Sequence, residues 1–228
     1  MDDYYRGRDV PLNLFGKRDY ESPDAFDIVK FNEDMKSLQE YGYAQIPEYD
    51  FETESRQGYR DLSIDEYGVV IVEGIHGINP EFSKSVDRFR VHKLYISALT
   101  SINIDDHNRL STTDARLFRR LVRDFKYRGA SAERTLGMWP DVRKGEDNYI
   151  FPYQEEADEI FNSTLIYEHG VLKKYAVPIL MNIYTESKHF SEARRLLVIL
   201  SYFTEVEDEE IPNTSLLMEF IGGSVLEY

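Results

Sequence analysis

The chain has no cysteine among its 228 residues, which excludes disulfides and thiolate metal sites. No apolar run reaches the roughly 18 residues that a membrane-spanning helix needs. The opening Met1-Asp2-Asp3-Tyr4-Tyr5-Arg6 lacks the apolar stretch of a signal peptide. The expectation is therefore a soluble, cytoplasmic protein. Positive charge is also scarce: 27 Lys and Arg stand against 42 Asp and Glu, a formal net charge of -15. Such a chain repels nucleic acid and anionic membranes as a whole, so neither is expected as a partner, and any anion site must be a local basic pocket. Clustered arginines therefore carry more information here than in a basic protein. Tryptophan occurs once, yet aromatics make up 14% and hydrophobic residues 42% of the chain, enough for a real core rather than disorder. The length suits one α/β domain with a helical appendage, or two small domains.

What is present centres on residues 67–124. Val69-Val70-Ile71-Val72 is β-branched throughout, which predicts a buried central strand. That strand would end on Glu73-Gly74-Ile75-His76-Gly77 and deliver the Glu73 carboxylate to its C-terminal end. A carboxylate there can hold Mg²⁺ directly or through water; it can equally be a surface acid capping a turn. Further on, Ser111, Thr112 or Thr113 can cap a helix whose first turn contains Asp114. Arg116, Arg119, Arg120 and Arg123 recur at i, i+3, i+4 and i+7 and so share one face. Leu117, Phe118, Leu121, Val122 and Phe125 take the other. Such a guanidinium ridge is either a solvated face with acidic partners or a grip for polyphosphate. A lone acid at a strand end plus a cationic helix face is what magnesium-dependent phosphoryl transfer requires.

The remaining elements read as follows. Residues 1–22 form a weakly patterned terminus, either frayed or presenting the Asp2-Asp3 carboxylates as a general base beside a hydroxyl. Ser22-Pro23 opens a helix that Gly42 stops, with Phe26, Val29, Met35 and Leu38 near one side. Residues 44–51 are extended around Pro47, and 52–58 are a polar loop or hairpin tip. Residues 92–98 form the next strand. Asp105-Asp106-His107 lacks a spacing that would converge metal ligands. A helix over 130–138 is broken at Trp139-Pro140, and 163–167 is a strand. Helices follow over 171–183, with Pro178 as a kink, over 187–203, and briefly over 215–220 before Gly222-Gly223.

These stretches together resemble the nucleoside kinase group of the uridine kinase and phosphoribulokinase superfamily. The resemblance rests on Asp2-Asp3-Tyr4-Tyr5-Arg6, Ser22-Pro23-Asp24-Ala25-Phe26-Asp27, Ile46-Pro47-Glu48-Tyr49-Asp50-Phe51, Val70-Ile71-Val72-Glu73-Gly74-Ile75, and Arg116 to Asp124 followed by Arg128-Gly129. The five motifs fall in family order over nearly the whole chain. Ile96-Ser97-Ala98-Leu99-Thr100, His107-Asn108-Arg109, Met138-Trp139-Pro140 and Phe220-Ile221-Gly222-Gly223-Ser224 look like a bacterial uridine-kinase-related subgroup. The resemblance implies an α/β fold with a P-loop-kinase-like parallel sheet flanked by helices. It implies a nucleoside-kinase-like domain over 1–183, with a helical lid at about 112–150, and a helical C-terminal extension over 184–228. It implies ATP and Mg²⁺ as cofactors, a nucleoside or other small hydroxyl compound as acceptor, and a possible homo-oligomer. By position Asp2 would be the general base, and Tyr5, Glu21 and Tyr49 would line the nucleoside pocket. Glu73 would stand near Mg²⁺, and Arg116, Arg119 and Arg123, with Arg120 and Arg128, would bind phosphates in the lid.

Two departures qualify this expectation. Glu54 stands where pyrimidine-specific relatives place a histidine near the base. The chain also contains no Gly-x-x-x-x-Gly-Lys-Ser/Thr, since Gly16-Lys17 is followed by Arg18. The backbone cradle for the phosphates, and the strand that carries it, are thus missing. A truncated chain, a misplaced start codon and a degenerate relative all fit. The expectation is a nucleoside kinase that is inactive or nearly so in this form. The alternative is a non-catalytic nucleotide- or partner-binding module derived from the family.

Overall fold

The structure is a computed structural model and describes residues 1–12, 16, 18–51 and 53–226. Lys17, and Glu52 of the expected loop, lie outside the described residues. The chain divides into two compact units, one of Met1–Tyr95 with Asp141–Phe161, the other of Ile96–Pro140 with Asn162–Tyr228.

The first unit is built on a helix and a hairpin. Ser22 does cap a turn, accepting from the Asp24 N–H, but that turn is a single 3-10 turn over Pro23–Ala25. Phe26 then becomes extended and bridges Tyr5. Helix α1 (Ile28–Tyr41) starts only after Asp27, whose carboxylate accepts from the Lys30 N–H. The same carboxylate binds Arg56 at 3.0 Å. Burial raises the Asp27 pKa, but the Lys30 N–H and Arg56 outweigh this and hold it below the usual range. The helix thus begins later than the sequence predicts, because pairing of residue 26 with the N-terminal segment outcompetes helix extension. Val29 points to solvent, and Phe31 joins Phe26 and Leu38 in the core. Gly42, at φ 67°, closes the helix as predicted.

Strands β1 (Tyr43–Asp50) and β2 (Ser55–Ser63) pair antiparallel from Tyr43 opposite Ser63 to Asp50 opposite Ser55, with a bulge at Glu48/Tyr49. Much of the expected polar loop is therefore strand. Alternation along β1 turns Ala44 and Ile46 into a core with Tyr4, Val10, Phe26, Phe31 and Phe82.

The buried central strand predicted at Val69–Val72 is absent. That segment belongs to no sheet, and Val69 and Ile71 are 83% and 89% exposed. Composition favoured a strand, but no described neighbour supplies a ladder. Strands β3 (Leu94–Ser97) and β4 (Glu159–Asn162) form a two-stranded sheet. The pair is parallel: the Asp158 N–H donates to the Lys93 carbonyl and the Ser163 N–H to the Ser97 carbonyl. Strand β4 ends before the predicted 163–167 strand, whose residues turn into the next helix instead.

The second unit is helical. Helix α2 (Thr112–Tyr127) is capped by Ser111, whose hydroxyl accepts from the Asp114 N–H. Helix α3 (Ala132–Tyr149) runs through Pro140 rather than breaking there, and the chain passes between units at that proline. Helices α4 (Glu168–Met181), α5 (Phe190–Ser201) and α6 (Met218–Ile221) complete the set. Leu117, Phe118, Leu121, Leu172, Leu180, Leu196, Leu200 and Leu217 form its core. Helices α4 and α5, which flank residue 183, both contribute to it. Phe125 is exposed, so the apolar side of α2 is narrower than its sequence suggests. The whole is an α/β protein with a parallel strand pair and flanking helices, as expected. Among the described residues no helix is long and apolar enough to cross a membrane.

Candidate functional site

Two clusters hold the predicted residues, one in each unit. In the first unit, Asp2–Tyr4 forms a 3-10 turn that ends where Tyr5 bridges Phe26. The Asp27 N–H donates to the Tyr4 carbonyl and the Arg6 N–H to the Ala25 carbonyl, which ties this segment to the start of α1. Asp3 bonds the Arg60 guanidinium at 3.1 Å and accepts from the Tyr49 N–H, fixing the same segment to the hairpin. Tyr5 is thereby set among aromatic rings: Phe26 at 4.2 Å between centroids, Tyr49 at 5.8 Å, Phe51 at 6.0 Å and Tyr20 at 6.2 Å. Its hydroxyl donates to the Tyr20 carbonyl.

Electrostatics reports the same convergence. Burial raises the Tyr5 phenol pKa, and the Asp2 and Glu21 carboxylates add to the rise, followed by Tyr49 and Tyr20. Burial also raises Tyr49, with Tyr20 and Glu54 contributing. Asp2, Tyr5, Glu21 and Tyr49 are separated by up to 47 positions yet share one neighbourhood. Glu54 joins it from the hairpin tip, at φ 51° and 3.4 Å from Arg18. Its carbonyl lies where a Cβ on Gly7 would come within 2.4 Å, so the close approach needs glycine. Glu73 approaches through its backbone, since the Met1 ammonium donates to the Glu73 carbonyl at 3.0 Å. Its side chain is exposed. Among the described residues no group of three His or acidic side chains is placed to enclose a metal. A single carboxylate such as Glu73 still suits Mg²⁺, which takes one or two carboxylates and otherwise water and phosphate oxygens.

In the second unit the arginines of α2 do not form one uniform ridge. Arg119 is buried and bidentate on Glu168, at 3.2 and 2.6 Å, and also donates to the Ser163 hydroxyl and carbonyl. Its donors are committed to the fold. Arg120, Arg123 and Arg128 instead surround one buried carboxylate, Asp124, at 3.1, 3.4 and 3.6 Å. Three cations on one anion leave a surplus of two positive charges in an otherwise acidic chain. Burial, then Arg128, lower the pKa of the Arg123 guanidinium, and Asp124 offsets this only in part. Arg116 is half-buried on the same helix. The donor set fits a phosphate or polyphosphate.

Sequence reasoning missed Tyr20 and Arg60, named Asp3 only as half of a carboxylate pair and Phe51 only within a motif, and did not identify Asp124 or Glu168 as anchors. Asp124 was within reach, being four residues from both Arg120 and Arg128. Glu168, 49 positions from Arg119, carried no local signal.

The chain belongs to the phosphoribulokinase / uridine kinase family, whose model matches residues 15–166. It is similar to a uridine kinase of Borreliella burgdorferi, 31% identical over 161 residues, covering 70% of each chain. It is also similar to uridine kinases of Staphylococcus haemolyticus, 29% identical over 182 residues (78% of this chain and 76% of that one), and of Clostridium tetani, 26% identical over 183 residues (79% and 77%).

Proposed function

We propose that the chain binds a nucleoside in the acid–aromatic cluster and derives from an enzyme that phosphorylates its sugar hydroxyl. The observation that carries this reading is the packing of the Tyr20, Phe26, Tyr49 and Phe51 rings around Tyr5. Aromatic rings can flank a planar base, and carboxylates can accept from its amide and from ribose hydroxyls. Asp2, exposed at the edge of the cluster, would accept the proton of an attacking hydroxyl. Arg120, Arg123 and Arg128 would hold phosphate oxygens, with Arg116 beside them and Arg119 positioning the helix through Glu168. Glu73 would offer one ligand to Mg²⁺, and MgATP would supply the phosphoryl group.

Turnover by this chain is expected to be far below the usual kinase range of about 1–100 s⁻¹, because its sequence has no glycine-rich phosphate loop. A second reading is a binding module that keeps the pocket without the chemistry. A radiolabelled transfer assay with ATP, Mg²⁺ and uridine separates the two. The enzymatic reading predicts slow, uridine-dependent transfer that Asp2→Asn lowers about 100-fold, with uridine affinity changed less than about twofold. Uridine binding with no transfer, or transfer indifferent to Asp2→Asn, would leave only the binding module.

A further inference from the structure

Helix α3 keeps a glycine, Gly145, at a buried position in its interior. A glycine there lowers helix stability relative to alanine, so its presence needs a local cause. Backbone conformation is not that cause, since Gly145 is not among the glycines at positive φ. The cause is a close approach. A Cβ on Gly145 would come within 2.6 Å of the Glu21 Cβ, 3.1 Å of its Cγ and 3.4 Å of its Oε2. Both residues belong to the first unit.

A second contact lies on the same face of the helix. Tyr149, one turn beyond Gly145, meets the His76 ring edge-on at 6.3 Å between centroids. His76 in turn contacts the Glu21 backbone and meets the Phe26 ring at 5.3 Å. Phe26 lies 4.2 Å from Tyr5. The stretch of α3 over 141–149 therefore backs the acid–aromatic cluster, and at Gly145 it comes against Glu21 itself. The Glu21 N–H donates to the Asp19 carboxylate at 3.2 Å, which ties down its backbone. An added methyl at 145 would meet the Cβ and Cγ of Glu21. Those atoms cannot swing aside as the far end of a long side chain does, so Glu21 or the helix must shift.

We propose that Gly145 is a positioning residue for substrate binding: its missing side chain sets how close the Glu21 carboxylate lies to Tyr5, and thereby the affinity for the nucleoside. Gly145 touches no ligand and acts through Glu21, so its role rests on the nucleoside reading of the cluster.

The test is a calorimetric titration of uridine into the full chain, Gly145→Ala, Glu21→Gln and the double variant. It is paired with the ¹³C resonance of the Glu21 carboxyl in the ligand-free protein, assigned by its loss in Glu21→Gln. Each single variant should weaken uridine binding at least tenfold, and the double variant no more than about twofold beyond the weaker single one. The carboxyl resonance should already be displaced in Gly145→Ala before any uridine is added. On a Glu21→Gly background, which removes the atoms the new methyl meets, Gly145→Ala should leave the melting temperature unchanged or raise it, because alanine is the better helix former. Gly145→Ala binding uridine as tightly as the parent, while Glu21→Gln does not, would overturn the proposal and leave the nucleoside reading standing. Additive losses in the double variant, or a melting temperature that Gly145→Ala still lowers on the Glu21→Gly background, would overturn it as well. A parent chain that takes up no uridine would remove the nucleoside reading and this role together.

Discussion

At the scale of single residues, two buried groups make the fold's electrostatic commitments explicit. Glu168 is fully buried and holds Arg119 by two hydrogen bonds while accepting from the Leu165 N–H. Removing its charge strands the guanidinium in a low-dielectric interior. Glu168→Gln is expected to cost about 3–5 kcal/mol, read as a shift in the urea midpoint; a loss under 1 kcal/mol would mean the pair is solvated. His76 acts through protonation. Its ring stacks on Phe82 and meets Phe26 edge-on, and burial holds its pKa at about 4 against an ordinary 6.5, outweighing a Glu21 backbone contact. The unfolded chain therefore takes up this proton at a higher pH than the folded one. Stability contributed by the neutral ring is complete above pH 6.5 and is lost as pH falls towards 4, by about 3 kcal/mol in all. Denaturation at pH 7.5 and pH 5 should show that decline, and His76→Phe should flatten it. An unchanged slope in the variant would assign the decline to other groups.

At the scale of elements, Gly42 is the hinge between α1 and β1. It sits at φ 67°, and a Cβ there would come within 2.7 Å of the Ile64 carbonyl, which itself flanks the Ile64 N–H bond to Gly42. Gly42→Ala is expected to destabilise the first unit by about 1–3 kcal/mol, measured by denaturant unfolding; a neutral outcome would show that the turn relaxes. That helix stop was legible because one residue decides it. The cap of α2 at Ser111 and its apolar seam through Leu117 and Leu121 were legible for the same local reason. Where the outcome depended on distant partners, local signals failed. Phe26 looked helical and is extended because Tyr5 pairs with it. Val69–Val72 looked like a central strand, but β-propensity measures fit to neighbouring strands, and among the described residues no strand pairs with it. Pro140 looked like a helix end, yet α3 continues through it. Of the proposed site, the resemblance to a family named Asp2, Tyr5, Glu21 and Tyr49, and the structure sets the Tyr5 and Tyr49 rings 5.8 Å apart. The even arginine ridge was not borne out in geometry, since helical spacing cannot tell that Arg119 turns to a carboxylate 49 positions away.

At the scale of the molecule, an acidic chain concentrates its useful positive charge at one place and its aromatic surface at another, each in a unit with its own core. The central claim is that the cluster around Tyr5 recognises a nucleoside. The direct measurement is a calorimetric titration of uridine into the chain and into Tyr49→Ala. Tyr49 is only half-buried, so the variant should fold. Saturable binding that weakens at least tenfold in the variant, with its melting temperature within a few degrees of the parent, is the predicted result. A folded chain that takes up no uridine at millimolar concentration, or a Tyr49→Ala variant that binds it as tightly, would contradict the account.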